Sequence, residues 1–272
     1  MLLDVRDLKV SFDTPDGVVE AVRGLDLQLA AGESVGIVGE SGSGKSQSVL
    51  ALMGLLADNA RVTGSARLET PTGPVELIGA KRRVLERIRG ARIAMIFQDP
   101  MTTLNPHLRI ATQMTEVLKR HRGLKGRAAT HAAIEMLEAV RIPDASRRIR
   151  YYPHQFSGGM RQRVMIAMSL ACEPDILVAD EPTTALDVTV QADILDLMAE
   201  LRTRTNTALL LITHDLGVVA GQTERVLVMR NGEVVERGAI DTLFADPQHE
   251  YTRRLLAAVP RLETPRDVAS GQ

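Results

Sequence analysis

Eight consecutive residues, Gly39-Glu40-Ser41-Gly42-Ser43-Gly44-Lys45-Ser46, space glycines, a lysine and a serine as a phosphate-binding loop requires. Glycines let backbone N–H groups curl around phosphate oxygens, and a helix beginning at Lys45 adds the positive end of its dipole. Lys45 is placed to reach the β- and γ-phosphates of a nucleotide, and Ser46 to ligate Mg²⁺. The chain has few lysines: Lys9, Lys45, Lys81, Lys119 and Lys125. A buried run, Ser34 to Val38, precedes the loop and an apolar stretch, Ser46 to Leu56, follows it. That context separates a nucleotide site from a merely structural glycine turn.

A second element supplies acids. Ile176-Leu177-Val178-Ala179 reads as a buried strand ending in Asp180 and Glu181. Asp180 is placed to hold a magnesium shell, directly or through water. Glu181 would point toward the γ-phosphate and polarise an attacking water. His214 closes another apolar run, Leu209 to Thr213, and Gln98 follows a third, Ile93 to Phe97. Polar side chains at the C-terminal ends of parallel strands face the ligand crevice of an open α/β sheet. A third element is Phe156-Ser157-Gly158-Gly159-Met160-Arg161-Gln162-Arg163, followed by the apolar run Val164 to Leu170. Ser157 is a natural N-cap, and Gly158 and Gly159 expose backbone N–H groups at a helix start. A second anion device, remote from the first, makes sense if it serves the nucleotide of another subunit in a two-fold arrangement.

The elements that must position these groups follow from hydropathy patterning. Leu8 to Phe12 and Val18 to Leu29 alternate apolar and polar residues around the turn Thr14-Pro15-Asp16-Gly17, which predicts antiparallel sheet. The short uncharged runs, with Ala208 to Ile212 among them, alternate with helical stretches such as Thr130 to Val140 and Ala192 to Leu201. That order predicts a parallel sheet covered on both faces. Residues from about 99 to 163 lack buried-strand runs and read as a helical insertion. Asn231-Gly232 predicts a hairpin turn near the end, and the polar residues 261–272 read as a loose tail after a single domain spanning 1–260.

Composition narrows the function. With 33 basic residues against 34 acidic, the formal charge is −1, which argues against wholesale binding to nucleic acid. Aromatic residues make up 3% and tryptophan is absent, unlike a base-stacking single-strand binder. The one cysteine, Cys172, excludes an internal disulfide and a cysteine-ligated cluster. The uncharged stretch Ser46 to Ala57 is too short to span a bilayer, and Asp4 interrupts any leader, so the cytosol is the expected compartment. The basic cluster Lys119-Arg120-His121-Arg122, continued by Lys125 and Arg127, reads as a solvated helix end.

Taken together, these motifs resemble the ATP-binding-cassette (ABC) ATPases over essentially the whole chain. The resemblance implies a P-loop NTPase (RecA-like) α/β fold: a parallel-sheet core, an N-terminal antiparallel β-subdomain and an inserted α-helical subdomain. It makes Gly39 to Ser46 the Walker A loop, Ile176 to Asp180 the Walker B strand and Glu181 the catalytic glutamate. Gln98 becomes the Q-loop residue, sharing Mg²⁺ with Ser46 and Asp180, and His214 the switch histidine. Ser157-Gly158-Gly159 becomes the signature motif and Thr184-Ala185-Leu186-Asp187 the D-loop, while Phe12 is placed to stack on adenine. Phe156 and Met160 depart from the family's usual leucine and glutamine.

Within the family, Phe97-Gln98-Asp99-Pro100-Met101-Thr102-Thr103-Leu104-Asn105-Pro106 and His154 to Arg163 are similar to the dipeptide/oligopeptide importer branch. His249-Glu250-Tyr251-Thr252, with Leu255 to Pro260, resembles that branch's C-terminal element, departing at Glu250 where proline is usual. The branch's cysteine-rich C-terminal cluster has no counterpart here. The resemblance implies ATP and Mg²⁺ as cofactors and ATP-driven dimer closure as the working step. It further implies membrane permease subunits and a second ATPase (a sister chain or an identical copy) as partners. A substrate-binding protein outside the membrane acts indirectly, and the cytoplasmic face of the cell membrane is the expected location. The cargo that the resemblance implies is a di- or oligopeptide, with nickel as the alternative in the same branch. A cassette working on DNA or ribosomes is the alternative of another class, against which stand the single cassette and the absence of a long heptad tract or basic stripe.

Overall fold

The computed structural model describes residues 1–99, 103–184 and 187–258. Two sheets organise it. The first is antiparallel, in the order β2-β1-β4-β5, from strands β1 (Leu3–Thr14), β2 (Gly17–Leu29), β4 (Ala60–Leu68) and β5 (Val75–Glu76). The second, in the order β10-β9-β3-β8-β7-β6, is built from β3 (Ser34–Val38), β6 (Ile93–Ile96), β7 (Ile176–Asp180), β8 (Ala208–Thr213), β9 (Arg225–Arg230) and β10 (Glu233–Ala239). Its strands are parallel except for β10, which folds back on β9 through Asn231 (φ 50°) and Gly232 (φ 84°).

Every residue of β3, β6, β7 and β8 is buried. A strand covered on both faces has no polar side, which is why these segments read as continuous apolar runs. One cover is the space between the sheets, filled by Leu8, Val10, Leu27, Ile37, Leu210 and helix α1 (Lys45–Met53). The other is helical, packing Leu177, Leu209 and Leu211 against neighbours such as Met114, Val164 and Leu197. Each fully buried aliphatic side chain contributes about 1.5–3 kcal/mol.

The remaining helices are α2 (Arg82–Ile88), α3 (Ile110–Arg122), α4 (Gly126–Ala139), α5 (Ala145–Arg148), α6 (Gly158–Leu170), α7 (Val188–Thr205), α8 (Leu216–Ala220), α9 (Ile240–Ala245) and α10 (Glu250–Ala257). Helices α3 to α6 lie between β6 and β7, the stretch expected to be a helical insertion. A third apolar cluster joins α8, α9 and α10 to Val226 and Val228 of β9.

Boundaries differ from expectation for physical reasons. Helix α1 stops at Met53 because Gly54 turns left-handed (φ 59°), so the helix does not reach Leu56. Helix α7 starts well before Ala192, capped by Asp187, whose carboxylate accepts from the Val190 N–H at 2.9 Å. Helix α4 begins at Gly126 and ends at Ala139. Phe97 lies outside β6 and is 37% exposed, so it is not part of the buried strand. The basic cluster forms the last turn of α3, where Arg122 donates to the Ala171 carbonyl at 3.2 Å and His121 is half-buried. Pro100, Met101, Thr102, Ala185, Leu186 and residues 259–272, which figure in the sequence motifs and tail, lie outside the described residues.

Candidate functional site

The C-terminal ends of β3, β6, β7 and β8 converge on one cleft of about 600 Å³. The loop after β3 supplies Glu40, Ser41, Gly42, Ser43, Gly44, Lys45 and Ser46 to its wall; Gln98 follows β6, Glu181 follows β7 and His214 follows β8. Tight packing dictates two of the loop's glycines. A Cβ on Gly39 would stand 2.1 Å from the Met229 carbonyl oxygen, and one on Gly44, at φ 100°, 2.2 Å from that of Ala21. No side chain caps the start of α1, so its first-turn N–H groups remain available to an anion.

Lys45 is buried, with its Nζ donating to the carbonyls of Gly39 at 2.7 Å and Glu40 at 2.9 Å. Burial holds its ammonium below the ordinary lysine value, against the opposing pull of Glu181, Asp180 and Glu40. Behind the cleft, the Ser46 hydroxyl donates to Asp180 Oδ1 at 3.0 Å. Burial raises the Asp180 carboxyl above its ordinary value; the Ser46 bond and Lys45 pull it down, and Glu181 adds to the rise.

Glu181 is the most heavily engaged acid of the cleft. Its Oε1 stands 3.2 Å from His214 Nδ1, and its Oε2 accepts from Gln98 Nε2 at 3.2 Å and from the Thr184 hydroxyl at 2.9 Å. Its N–H donates to the Ile212 carbonyl at 2.8 Å, extending the β7–β8 ladder by one residue. The backbone there turns left-handed (φ 46°), a conformation that costs a non-glycine residue about 1–2 kcal/mol. That turn lifts the carboxylate out of the strand and into the cleft.

Two predicted groups are not among the residues that line this cleft. Phe12 is half-buried on β1, paired with Val19 and Ala60 and packed against the inter-sheet core, while Ala21 of β2 lines the cleft. Ser157, Gly158 and Gly159 open α6, outside the lining of the cleft. Ser157 caps that helix, accepting from the Met160 N–H at 3.4 Å. Ser157 and Gly158 are exposed, while a Cβ on Gly159 would stand 2.9 Å from Val190 Cγ1. Buried Gln162 ties α6 to the acidic strand end, donating to the Pro182 carbonyl at 2.5 Å. Sequence reasoning did not single out Ala21, Gln47 or Leu255 for the cleft, and it named Thr184 only within the D-loop, not as a partner of Glu181. Thr184 alone carried a local signal, a hydroxyl three residues after a candidate acid.

A polyphosphate cradle, a buried lysine, a Ser–Asp pair and a hydrogen-bonded glutamate in one cleft are the parts of a nucleotide hydrolase. Residues 22–184 match the family model described as ABC transporter. The chain belongs to the ABC transporter family. Within the family it is an ATP-binding component that hydrolyses ATP. It is 54% identical to the oligopeptide transport ATP-binding protein OppD of Salmonella typhimurium, over 97% of this chain and 78% of that one. Against the dipeptide transport ATP-binding protein DppD of Bacillus subtilis the identity is 51%, over 96% and 78%. Among solved structures, a post-hydrolysis dimer of the ATP-binding cassette MJ0796 with ADP and Pi is similar at TM-score 0.76 and 27% identity, covering 88% of this chain and 99% of that one. The cassette cbiO1 of Clostridium perfringens, part of the transporter complex cbiONQ, is similar at TM-score 0.73 and 25% identity, covering 96% of each. The expected α/β cassette with its separate antiparallel sheet is therefore the fold of this chain. No helix among the described residues is long and apolar enough to cross a membrane.

Proposed function

We propose that this cassette powers the import of di- or oligopeptides from the cytoplasmic face of the cell membrane. In this reading it works through separate permease subunits and a substrate-binding protein on the far side. The peptide-transport names of its relatives at 54% and 51% identity support the cargo. A second ATPase, sister or identical, completes each site. The dimeric likeness supports this, as does the placement of Ser157-Gly158-Gly159 away from the cleft of its own chain.

The residues fit a magnesium ion. Ser46 and Asp180 present hard oxygens 3.0 Å apart, with the amide oxygen of Gln98 in the same cleft. Among the described residues no cluster of three His, Cys, Asp or Glu could hold a metal alone. Ser46 and Asp180, with Gln98, would hold Mg²⁺, a cation that commonly completes its shell with water and substrate phosphate. When bound, Mg²⁺ neutralises phosphate charge as it develops.

The chain's own groups do the rest. Lys45 and the α1 N-terminus bind the phosphates, while Glu181 accepts a proton from the attacking water. His214 and Gln98 hold the Glu181 carboxylate and report on the γ-phosphate. Ser157 and the Gly158–Gly159 amides of the opposing chain add donors only when the γ-phosphate is present. That differential contact favours the closed dimer, and its loss on hydrolysis reopens it.

One observation carries this reading: Gln98 and Thr184 donate to the Glu181 carboxylate and His214 stands beside it in the Lys45 cleft, while the second anion device of the same chain lies outside the lining of that cleft. Glu181→Gln keeps the geometry and removes the base. Its hydrolysis rate should fall about 10²- to 10⁴-fold while ATP binding persists and an ATP-held dimer accumulates on size exclusion. Near-normal phosphate release would refute the assignment of Glu181. Peptide uptake into vesicles carrying the co-expressed permease tests the cargo.

A further inference from the structure

Helix α10 lies far along the chain from the phosphate loop, yet it reaches the loop's backbone. The Glu40 N–H donates to the Tyr251 hydroxyl at 2.9 Å, across 211 residues of sequence. This N–H belongs to the Gly39–Glu40 peptide group, whose carbonyl, on Gly39, accepts from Lys45 Nζ at 2.7 Å. A trans peptide points its N–H and C=O in opposite directions, and this chain has no cis bond among the described residues. Tyr251 therefore grips one edge of a rigid plane whose other edge holds the lysine that meets the phosphates.

The tyrosine is itself held firmly. It is 3% exposed, packed in the cluster of Leu216, Val219 and Ile240, with the Arg230 guanidinium 5.0 Å from its ring centre. The Glu236 carboxylate, on β10, accepts the N–H groups of Gln248 at 2.7 Å and His249 at 3.0 Å, just ahead of α10. One helical turn beyond Tyr251, Leu255 lines the nucleotide cleft. One short helix thus sets a hydroxyl against the loop's backbone and an apolar side chain against the cleft's rim.

We propose that α10 is a brace of the nucleotide site and that Tyr251 is a positioning residue for Lys45. This rests on the reading of the loop as the ATP site. A polar bond that orients the ground-state ATP cradle affects substrate binding first, so its loss should appear in KM more than in kcat. Tyr251→Phe removes only the hydroxyl and keeps the ring and its Arg230 contact. Without the hydroxyl, the ATP KM and the Kd of a non-hydrolysable ATP analogue should rise about 3- to 10-fold, kcat should change less than about 2-fold, and the unfolding midpoint should hold. Glu236→Gln, which weakens the clamp ahead of α10, should move KM in the same direction.

The measurement is steady-state phosphate release with calorimetric binding of the analogue, on the full chain, with Lys45→Ala alongside. If Lys45→Ala loses nucleotide while Tyr251→Phe binds and turns over as wild type, the brace is refuted and the site stands. If Lys45→Ala binds nucleotide unchanged, the site reading falls and the brace with it. An equal loss of kcat and midpoint in Tyr251→Phe, without a KM change, would reduce Tyr251 to packing and overturn the proposal.

Discussion

At the scale of single residues, the site places one cation, Lys45, and one acid, Asp180, where burial disfavours the charge of each. Lys45 is buried among carbonyls that only partly replace its water, and Asp180 is buried beside another acid. Each gains when a polyanion and its cation bind together. Removing the Lys45 ammonium deletes a charge-assisted contact of about 1.5–3 kcal/mol, so Lys45→Ala should weaken ATP binding by about 10- to 150-fold in calorimetric titration.

At the scale of elements, strand ends deliver the acids and one buried amide keeps two elements in step. Gln162 on α6 reaches the carbonyl of Pro182, directly after Glu181. Gln162→Leu keeps the volume and orphans a buried carbonyl, so it should cost about 1–3 kcal/mol in thermal unfolding. It should also lower kcat more than it alters KM in phosphate-release assays, because Glu181 loses its support. The same scale separates what could be read in advance. Strands β3, β7 and β8 were legible because burial on both faces leaves an uninterrupted apolar run. The segment 57–92 carried no expectation, and it folds into β4, β5 and α2. In β4 only Ala66 and Leu68 are buried, so its alternation is too short to stand out; pairing with β1 places it.

At the scale of the whole molecule, the proposed reading gives the cassette two anion devices, of which only one lines the cleft. Helix α6 packs its buried face into the main core and leaves Ser157 and Gly158 exposed at its start. An acid at that start complements the helix dipole, so Gly158→Asp should fold at least as well as wild type. It should still bind ATP within one chain, yet its charge opposes a γ-phosphate presented by another. In the Glu181→Gln background the ATP-held dimer should therefore disappear from size exclusion while nucleotide binding remains. Retention of that dimer would remove Ser157-Gly158-Gly159 from the interface.

Sequence alone determined the local parts of this cassette: a glycine-spaced loop with its lysine, two acids ending a strand, a serine capping a glycine-led helix. Those depend on residue type and on spacings of a few residues, where local sterics and hydrogen bonding decide. Tertiary structure decided which of them meet. Ser46 and Asp180 are 134 residues apart, Gln98 and Glu181 83, and Glu40 and Tyr251 211. Strand order brings the first two pairs together, and strand order is set by packing across a whole sheet. The Tyr251 contact depends on how α10 seats in the third apolar cluster. No periodicity within α10 or the loop records that meeting, because each would form its local structure equally well without the other.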